Sequence, residues 1–132
     1  MSVKTHERVS ENLVGKPLEV ITGVSSTVEL QAIDEMAVDF SGLVHGGFTF
    51  GLADYAAMLA VNHPNVVLGY AQAKFTAPVR VGDKMIAKAV ITKIDGGKSE
   101  VNVDVTVGTN RVFTGSFNCY SLEKHILDRG TK

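Results

Sequence analysis

The spacing of hydrophobic residues changes along the chain, and these changes predict its strands and helices. From Ser99 to Val107, valine at every second position alternates with polar residues, which is the period of a strand with one buried face. The turn sequence Asp-Gly-Gly-Lys at residues 95–98 predicts a hairpin before it. Other runs bounded by Gly, Pro, Asn or Asp predict strands at Lys16–Ile21, Ser25–Ala32, Val66–Thr76, Lys84–Ile94 and Arg111–Leu122.

One long segment breaks the strand pattern. Residues Gly46 to Asn62 are rich in Ala and Leu, carry a single charge at Asp54 and end at His63-Pro64, so we predict a helix there. A helix that is apolar on nearly every side must be surrounded by protein or lipid. Its length is marginal for a membrane span and an aspartate lies at its middle, which favours burial in protein.

The two ends of the chain carry weaker patterns. Residues 5–14 have the spacing of a short amphipathic helix that ends near Gly15, and residues 123–132 form a polar tail. No linker, charge block or fixed repeat divides the sequence, so we predict one domain over residues 1–132. Two short strands, one buried helix and four long strands favour an α+β fold, in which a curved antiparallel sheet wraps around one long buried helix.

Composition narrows the class of protein. Of the 132 residues, 45% are hydrophobic and 20% are charged, which permits a packed core, and the net charge of −1 gives no sign of a nucleic-acid-binding face. Cys119 is the single cysteine, so no intrachain disulfide or cysteine-rich metal cluster is expected. No histidine pair has metal-ligand spacing, and no phosphate-loop or dinucleotide signature occurs. We predict no metal, no bound cofactor and no nucleic-acid partner.

The N-terminal sequence is polar and lacks the apolar region of a secretory signal. We therefore expect a cytoplasmic location and no membrane partner.

Two glycines stand at the predicted start of the buried helix. The first N–H groups of a helix have no partner within it, and the helix dipole favours negative charge there. Gly46 and Gly47, which follow His45, therefore suit a carbonyl oxygen that gains charge during acyl transfer. The alternative is that both glycines only allow close packing against a strand.

Asp54 is a candidate catalytic carboxylate. On a helix it shares a stripe with the apolar or small residues Gly47, Phe50, Gly51, Met58 and Val61. Loss of solvation there raises the pKa of a carboxyl, which suits a general base or nucleophile. The alternative is exposure at a subunit boundary.

The spacing of the two candidate groups predicts a shared site. Gly46 and Asp54 are eight residues apart, which is about 12 Å along a helix, whereas reacting atoms must come within about 3–3.5 Å. If both groups act on one bond, they come from different copies of the chain. A two-fold dimer would generate two such sites.

Three features together resemble a known family. They are the sequence Gly-Leu-Val-His-Gly-Gly at residues 42–47, the apolar helix with Asp54 nine residues after His45, and the sequence Phe-Thr-Ala-Pro-Val-Arg-Val-Gly-Asp at residues 75–83. Over roughly residues 13–122 the chain is similar to the hotdog-fold acyl-CoA thioesterases. It most resembles the phenylacetyl-CoA type within the 4-hydroxybenzoyl-CoA thioesterase superfamily. The resemblance implies hydrolysis of an acyl-CoA substrate, with coenzyme A only as part of that substrate, by a homodimer that commonly pairs into a homotetramer.

The resemblance also implies roles for individual residues. The Gly46 N–H would polarise the thioester carbonyl, and His45 would shape the loop around it. Asp54 of the other subunit would activate water or attack directly. Gln72, on the strand after the helix, is the nearest match to a residue that orients the water.

Asp39 departs from the pattern of the phenylacetyl-CoA type, which usually carries asparagine at this loop position. A second branch of the superfamily carries its catalytic aspartate there, so Asp39 competes with Asp54 for the role of catalytic carboxylate. We favour Asp54. The alternative for Asp39 is an ordinary turn aspartate.

Substrate contacts are predicted at six further residues. Phe48, Phe50 and Met58 would accommodate an apolar or aryl acyl group, and Lys74, Arg80 and Lys84 would meet CoA phosphates unless they only form a solvated face. A non-catalytic acyl-CoA-binding or sensing protein is the alternative function, although no separate DNA-binding segment is expected. A hydratase on the same fold fits the His-Gly-Gly and Asp54 pattern less well.

Overall fold

The protein forms six β-strands and one long α-helix in a computed structural model that describes residues 1–128. The strands are β1 (Lys16–Ile21), β2 (Ser25–Gln31), β3 (Val66–Phe75), β4 (Lys84–Asp95), β5 (Lys98–Val107) and β6 (Asn110–Ser121), and the helix is α1 (Gly46–Val61). Short 3₁₀ turns occur at Asp34–Met36 and Ile126–Asp128. The boundaries predicted for all six strands and for the helix are confirmed to within one residue.

The six strands form one antiparallel sheet in the order β1-β2-β4-β5-β6-β3. A flat sheet of this size would be roughly 24 Å wide, more than twice the width of a helix. Because α1 nevertheless contacts every strand, the sheet must curve around it. The predicted α+β architecture, an antiparallel sheet wrapped around one long buried helix, is confirmed.

Small side chains allow the sheet to close on the second half of α1. Every residue from Tyr55 to Val61 is buried, and four of the helix positions packed into the core are alanines. The Ser26 hydroxyl of β2 donates a hydrogen bond of 2.6 Å to the carbonyl of Ala56. No helix within residues 1–128 is long and apolar enough to span a membrane.

The N-terminal helix predicted at residues 5–14 is wrong, because this segment forms separate turns. Val9 N–H donates to the His6 carbonyl, and Val14 N–H donates to the Ser10 carbonyl. His6 has a φ of 52°, a left-handed conformation that a helix cannot continue through. Tertiary contacts hold it there, since Thr5 is buried and the His6 ring lies 6.2 Å from the ring of Tyr55. Of the predicted polar tail, residues 123–128 are exposed and residues 129–132 lie outside the described part.

Asn62 ties the N-terminal segment to the end of the helix. It ends α1 with a φ of 53°, and its side chain is almost completely buried. The side-chain carbonyl accepts from Lys4 N–H at 2.7 Å, and the amide donates to the Ser2 carbonyl at 2.7 Å and to the Thr22 hydroxyl at 2.9 Å. One side chain therefore satisfies three polar groups from two other segments.

We expect Asn62→Ala to lower the free energy of unfolding by about 3 kcal/mol, because it removes three hydrogen bonds and places a Cβ-bearing apolar residue in the left-handed conformation. Asn62→Gly loses the same hydrogen bonds but tolerates the backbone, so it should be about 1 kcal/mol more stable than the alanine variant. Urea unfolding measures both differences. Equal stability of the glycine variant and the wild type would show that the side-chain contacts contribute nothing.

Candidate active site

The histidine before the helix caps its first turn. His45 lies in an extended conformation, and its Nδ1 accepts a hydrogen bond of 2.8 Å from Gly47 N–H. A neutral imidazole that accepts at Nδ1 carries its proton on Nε2. A Cβ on residue 47 would stand 2.8 Å from His45 Nδ1, so glycine is needed at this position to admit the imidazole ring.

Gly46 keeps a free donor at the same helix start. The N–H groups of Gly47 and Phe48 are bonded to the Nδ1 and carbonyl of His45. No hydrogen bond within residues 1–128 is donated by the Gly46 N–H, and Gly46 is exposed. A Cβ on Gly46 would approach the Phe75 ring to 3.3 Å, so close packing also favours glycine here. The N–H at the positive end of the helix is available to an oxygen from outside the chain.

Asp54 lies on a strip of α1 that the sheet leaves partly open. We call this surface the open strip; it consists of the exposed or partly exposed helix residues Gly47, Phe50, Gly51 and Asp54. Nothing lies within 4 Å of the Cβ position at Gly51, so there is space one turn before Asp54. Met58 and Val61, which lie further along the predicted apolar stripe, are buried.

The carboxylate of Asp54 is only partly hydrated. Its Oδ1 is buried and is the one buried side-chain oxygen or nitrogen without a hydrogen-bond partner among residues 1–128. Burial raises the pKa of Asp54 to about 6, because removal from water disfavours the charged form. A carboxyl with this pKa is ionised at neutral pH and is still basic enough to accept a proton from water.

Aromatic side chains line the approach to the helix start. The ring of Phe50 lies 5.6 Å from Phe117 and 6.3 Å from Phe113, and Phe75 lies 5.2 Å from Phe113. Phe48 is half-buried and meets the His45 ring edge-to-face at 6.3 Å. Phe50 and Phe48 thus lie near the candidate site, whereas Met58 is fully buried in the core. The substrate contacts predicted for Phe48, Phe50 and Met58 stay predictions.

Phe75 is a site residue that the sequence prediction did not assign. It is 55% exposed, yet its ring packs beside Gly46. Alternation along β3 could have identified it only if the position of the bulge in that strand had been known. This bulge lies between Leu68 and Tyr70.

The same bulge determines which face of the sheet Gln72 occupies, while its predicted role in orienting the water stays a prediction. A bulge shifts the side-chain alternation by one residue, so Leu68 and Ala71 both pack on the core side. Gln72 consequently lies on the outer face of the sheet, where its amide donates to the Tyr70 hydroxyl at 2.9 Å. It does not lie beside Asp54 of the same chain.

The structure does not bring the three predicted cations together. Lys74 lines an outer groove of about 650 Å³ that also contains Arg111, a cation the prediction had not included. Lys84 lies 3.9 Å from Glu29 in a largely exposed ion pair. Arg80 pairs with Leu43 through an isolated β-bridge, so it is the one of the three that flanks the loop before α1.

Asp39 makes the contacts of a turn residue. Its Oδ1 accepts from Ser41 N–H at 3.0 Å and from Leu43 N–H at 3.3 Å, and the side chain is exposed. This agrees with the alternative interpretation of Asp39 as a turn aspartate. Phe40, in the same turn, is fully exposed.

Comparison with known proteins identifies the family to which this geometry corresponds. Residues 41–114 match the family model of the thioesterase superfamily. This segment contains the capped helix start, the open strip and Asp54.

Two known relatives extend beyond the length of this chain. Over 117 residues the chain is 47% identical to the methylthioribose-1-phosphate isomerase of Aquifex aeolicus, a match that covers 89% of this chain and 25% of that protein. Over 117 residues it is 27% identical to the transcription factor FapR of Caldanaerobacter subterraneus subsp. tengcongensis, covering 89% of this chain and 58% of FapR. The chain therefore spans less than two thirds of either relative.

Solved structures share the fold. An uncharacterized protein of Pyrococcus horikoshii superposes with a TM-score of 0.94 and 57% identity, covering 97% of this chain and 98% of that chain. A variant of the phenylacetic acid degradation protein PaaI from Thermus thermophilus superposes with a TM-score of 0.76 and 25% identity, covering 83% and 95% of the two chains. These likenesses, together with the family model, confirm the predicted hotdog fold.

The raised pKa of Asp54 predicts that its ionisation weakens the fold. The folded state holds the proton more tightly than the unfolded state, whose pKa is near the ordinary value of 3.8. Stability should therefore fall as pH rises from about 4 to about 6. We expect Asp54→Asn, which keeps the shape without the charge, to raise the free energy of unfolding by up to about 3 kcal/mol at pH 8 and to change it little below pH 4.

Urea unfolding at a fixed protein concentration, repeated between pH 3.5 and pH 8, measures this difference. Asp95→Asn, in the exposed β4–β5 hairpin, is the matched control and should show no such trend. A gain that is the same at every pH would contradict the assignment of the effect to the carboxylate charge.

Proposed function

Because the chain belongs to the thioesterase superfamily, we propose that it hydrolyses an acyl-CoA thioester to the free acid and CoA at a site shared by two copies of the chain. The observation that carries this proposal is the partly buried carboxylate of Asp54. It lies on the open strip, which begins at the helix turn that His45 caps. A carboxylate in that position loses solvation without gaining a hydrogen-bond partner. This is costly for folding, so a catalytic role explains the carboxylate better than a role in packing does.

In the proposed mechanism the thioester carbonyl oxygen accepts a hydrogen bond from the Gly46 N–H. The helix dipole adds positive potential at the same point, so charge that develops on this oxygen is stabilised. His45 contributes by bonding Gly47 N–H, which fixes the first turn and leaves Gly46 as the donor.

Asp54 acts as the general base. It removes a proton from a water molecule, whose oxygen attacks the carbonyl carbon. When the tetrahedral intermediate collapses, the carbon–sulfur bond breaks, and the departing CoA sulfur takes up the proton that Asp54 removed from water, which restores the carboxylate. Direct attack by the carboxylate, followed by hydrolysis of the resulting anhydride, gives the same products.

Two copies are required because one helix cannot present both groups to one bond. The eight-residue separation of Gly46 and Asp54 corresponds to about 12 Å. Within residues 1–128, strand β3 pairs only with β6, so its other edge is free to approach a second chain beside the open strip. A two-fold axis there would bring Gly46 of one copy toward Asp54 of the other. Further association into a tetramer is an expectation from the family and is not needed by the mechanism.

The acyl group would enter among aromatic side chains. Phe50 and Phe75 flank the helix start, and their rings suit an aryl or other apolar acyl group. Aryl-acetyl-CoA substrates of the phenylacetyl-CoA type are accordingly the first to test. Arg80, beside the loop, is the best-placed cation for a CoA phosphate.

A non-catalytic acyl-CoA-binding protein is the second candidate function. The observation that favours it is the 27% identity to the transcription factor FapR, since a relative that regulates transcription need not turn over what it binds. Tight binding of an acyl-CoA without release of free thiol would favour this function over hydrolysis.

We expect release of CoA thiol from at least one member of a panel of short, aryl and long acyl-CoA substrates. Asp54→Asn should lower kcat by about 100-fold or more, since it removes the base. Asp39→Asn should retain more activity, because the Asp39 side chain only makes the backbone contacts of a turn residue. For the wild type, kcat/KM should fall about tenfold per pH unit below pH 6, where Asp54 becomes protonated. An equal or greater loss in Asp39→Asn would transfer the catalytic role to Asp39.

Mixing two inactive variants tests whether the site is shared. Gly46→Pro removes the N–H, and proline suits the first position of a helix; the extended conformation of His45 is one that a following proline accepts. Gly46→Ala adds the same Cβ but keeps the N–H, so it is the matched control. An equal mixture of Gly46→Pro and Asp54→Asn, unfolded and refolded together, should recover about a quarter of wild-type activity, because half of the dimers would carry one intact site. No recovery would mean that both groups act within one chain.

A further inference from the structure

The packing of α1 on β6 indicates which side chain faces Asp54 from the sheet. Phe50 lies over Phe113 and Phe117, closer to the second. One helical turn advances about 6 Å and two strand residues advance about 7 Å. Asp54, one turn after Phe50, therefore comes to the level of Cys119, two residues after Phe117 on the same face of the strand.

The burial of Cys119 agrees with this placement. The residue is completely buried, and burial raises the pKa of its thiol to about 12, with the nearby charge of Asp54 as the second cause. The group is thus a protonated thiol at neutral pH, which is inert as a nucleophile.

No other titratable side chain faces Asp54 from the sheet within residues 1–128. Inward-facing residues of the strands are apolar, apart from the hydroxyls of Ser26 and Ser99. On the helix itself the titratable neighbour is Tyr55, which lies against His6 at the other side. Desolvation is the one cause that raises the pKa of Asp54.

We propose that Cys119 is a positioning residue for Asp54: its side chain forms the floor on which Oδ1 rests without a hydrogen bond, so that the other carboxylate oxygen is turned toward the open strip. Only Oδ1 is buried without a partner, which distinguishes the two oxygens. That the outward oxygen then serves as a base rests on the proposed function.

The chemistry of sulfur suits this role. A thiol fills the space of a small hydrophobic residue and is a weak hydrogen-bond donor. A hydroxyl at the same point would donate a stronger hydrogen bond to Oδ1, favour the ionised form and reduce the basicity of the carboxylate. Cysteine thus fills the space beneath Oδ1 and leaves the pKa of the Asp54 carboxyl raised by burial.

Direct titration of the Asp54 carboxyl tests the proposal without reference to activity. The carboxyl ¹³C signal would be assigned by its loss in Asp54→Asn and followed with pH in Cys119→Ser and Cys119→Ala, which differ by one hydroxyl. We expect the midpoint in the serine variant to lie about one pH unit below that in the alanine variant. Ala89→Ser, which adds a buried hydroxyl on β4 two strands away, should leave the midpoint unchanged.

Equal midpoints in the serine and alanine variants would overturn the proposal. If the serine variant does not fold, Cys119→Thr and Cys119→Val make the same comparison with closely matched shapes. In an active enzyme the acidic limb of kcat/KM should follow the titrated midpoint. If the wild type hydrolyses no acyl-CoA, the proposed function fails, and the titration still decides whether Cys119 sets the state of Asp54.

Discussion

The structure depends on one constraint, the enclosure of an almost wholly apolar helix by a single sheet. Six strands must bend around α1 to bury it. They bury every residue of the second half from Tyr55 onward, where alanines allow close approach, but only Thr49, Leu52 and Ala53 of the first half. The first half keeps its open strip, in which Gly47 and Gly51 carry no side chain for the sheet to pack on. Burial and accessibility are thus divided along one helix, and Asp54 lies where they meet.

At the open end of the helix, the sequence His45-Gly46-Gly47 both packs the helix start and leaves a donor for a ligand. His45 must turn its imidazole back to cap the helix, and that geometry requires glycine at residue 47. Gly46 is constrained from the other side by the Phe75 ring. The two glycines therefore satisfy packing, which was the alternative interpretation, and packing is also what leaves the Gly46 N–H as the unbonded donor. The two interpretations do not compete at this site.

The sequence predicted every strand and the central helix because their hydrophobic periods are long and match the burial that the fold imposes. It failed where tertiary contacts override local pattern. Residues 5–14 have a helical spacing, but the contacts of Thr5 and His6 with the core hold a turn instead. Met58 shares a stripe with Asp54, yet no period can indicate how far along a helix the sheet closes.

The outward orientation of Gln72 has a different origin, because the alternation along β3 is interrupted. One extra residue near Gly69 reverses the faces of β3, which sends Gln72 outward and Phe75 inward. A Cβ at Gly69 would collide with the Tyr120 ring, so the aromatic residue on β6 requires glycine at the bulge. The edge strand is thereby bent over its first half and left regular beyond Tyr70, next to the helix start. A second chain that adds to this edge would consequently meet the regular half, and in the proposed dimer that is the half beside which Gly46 and the aromatic side chains lie.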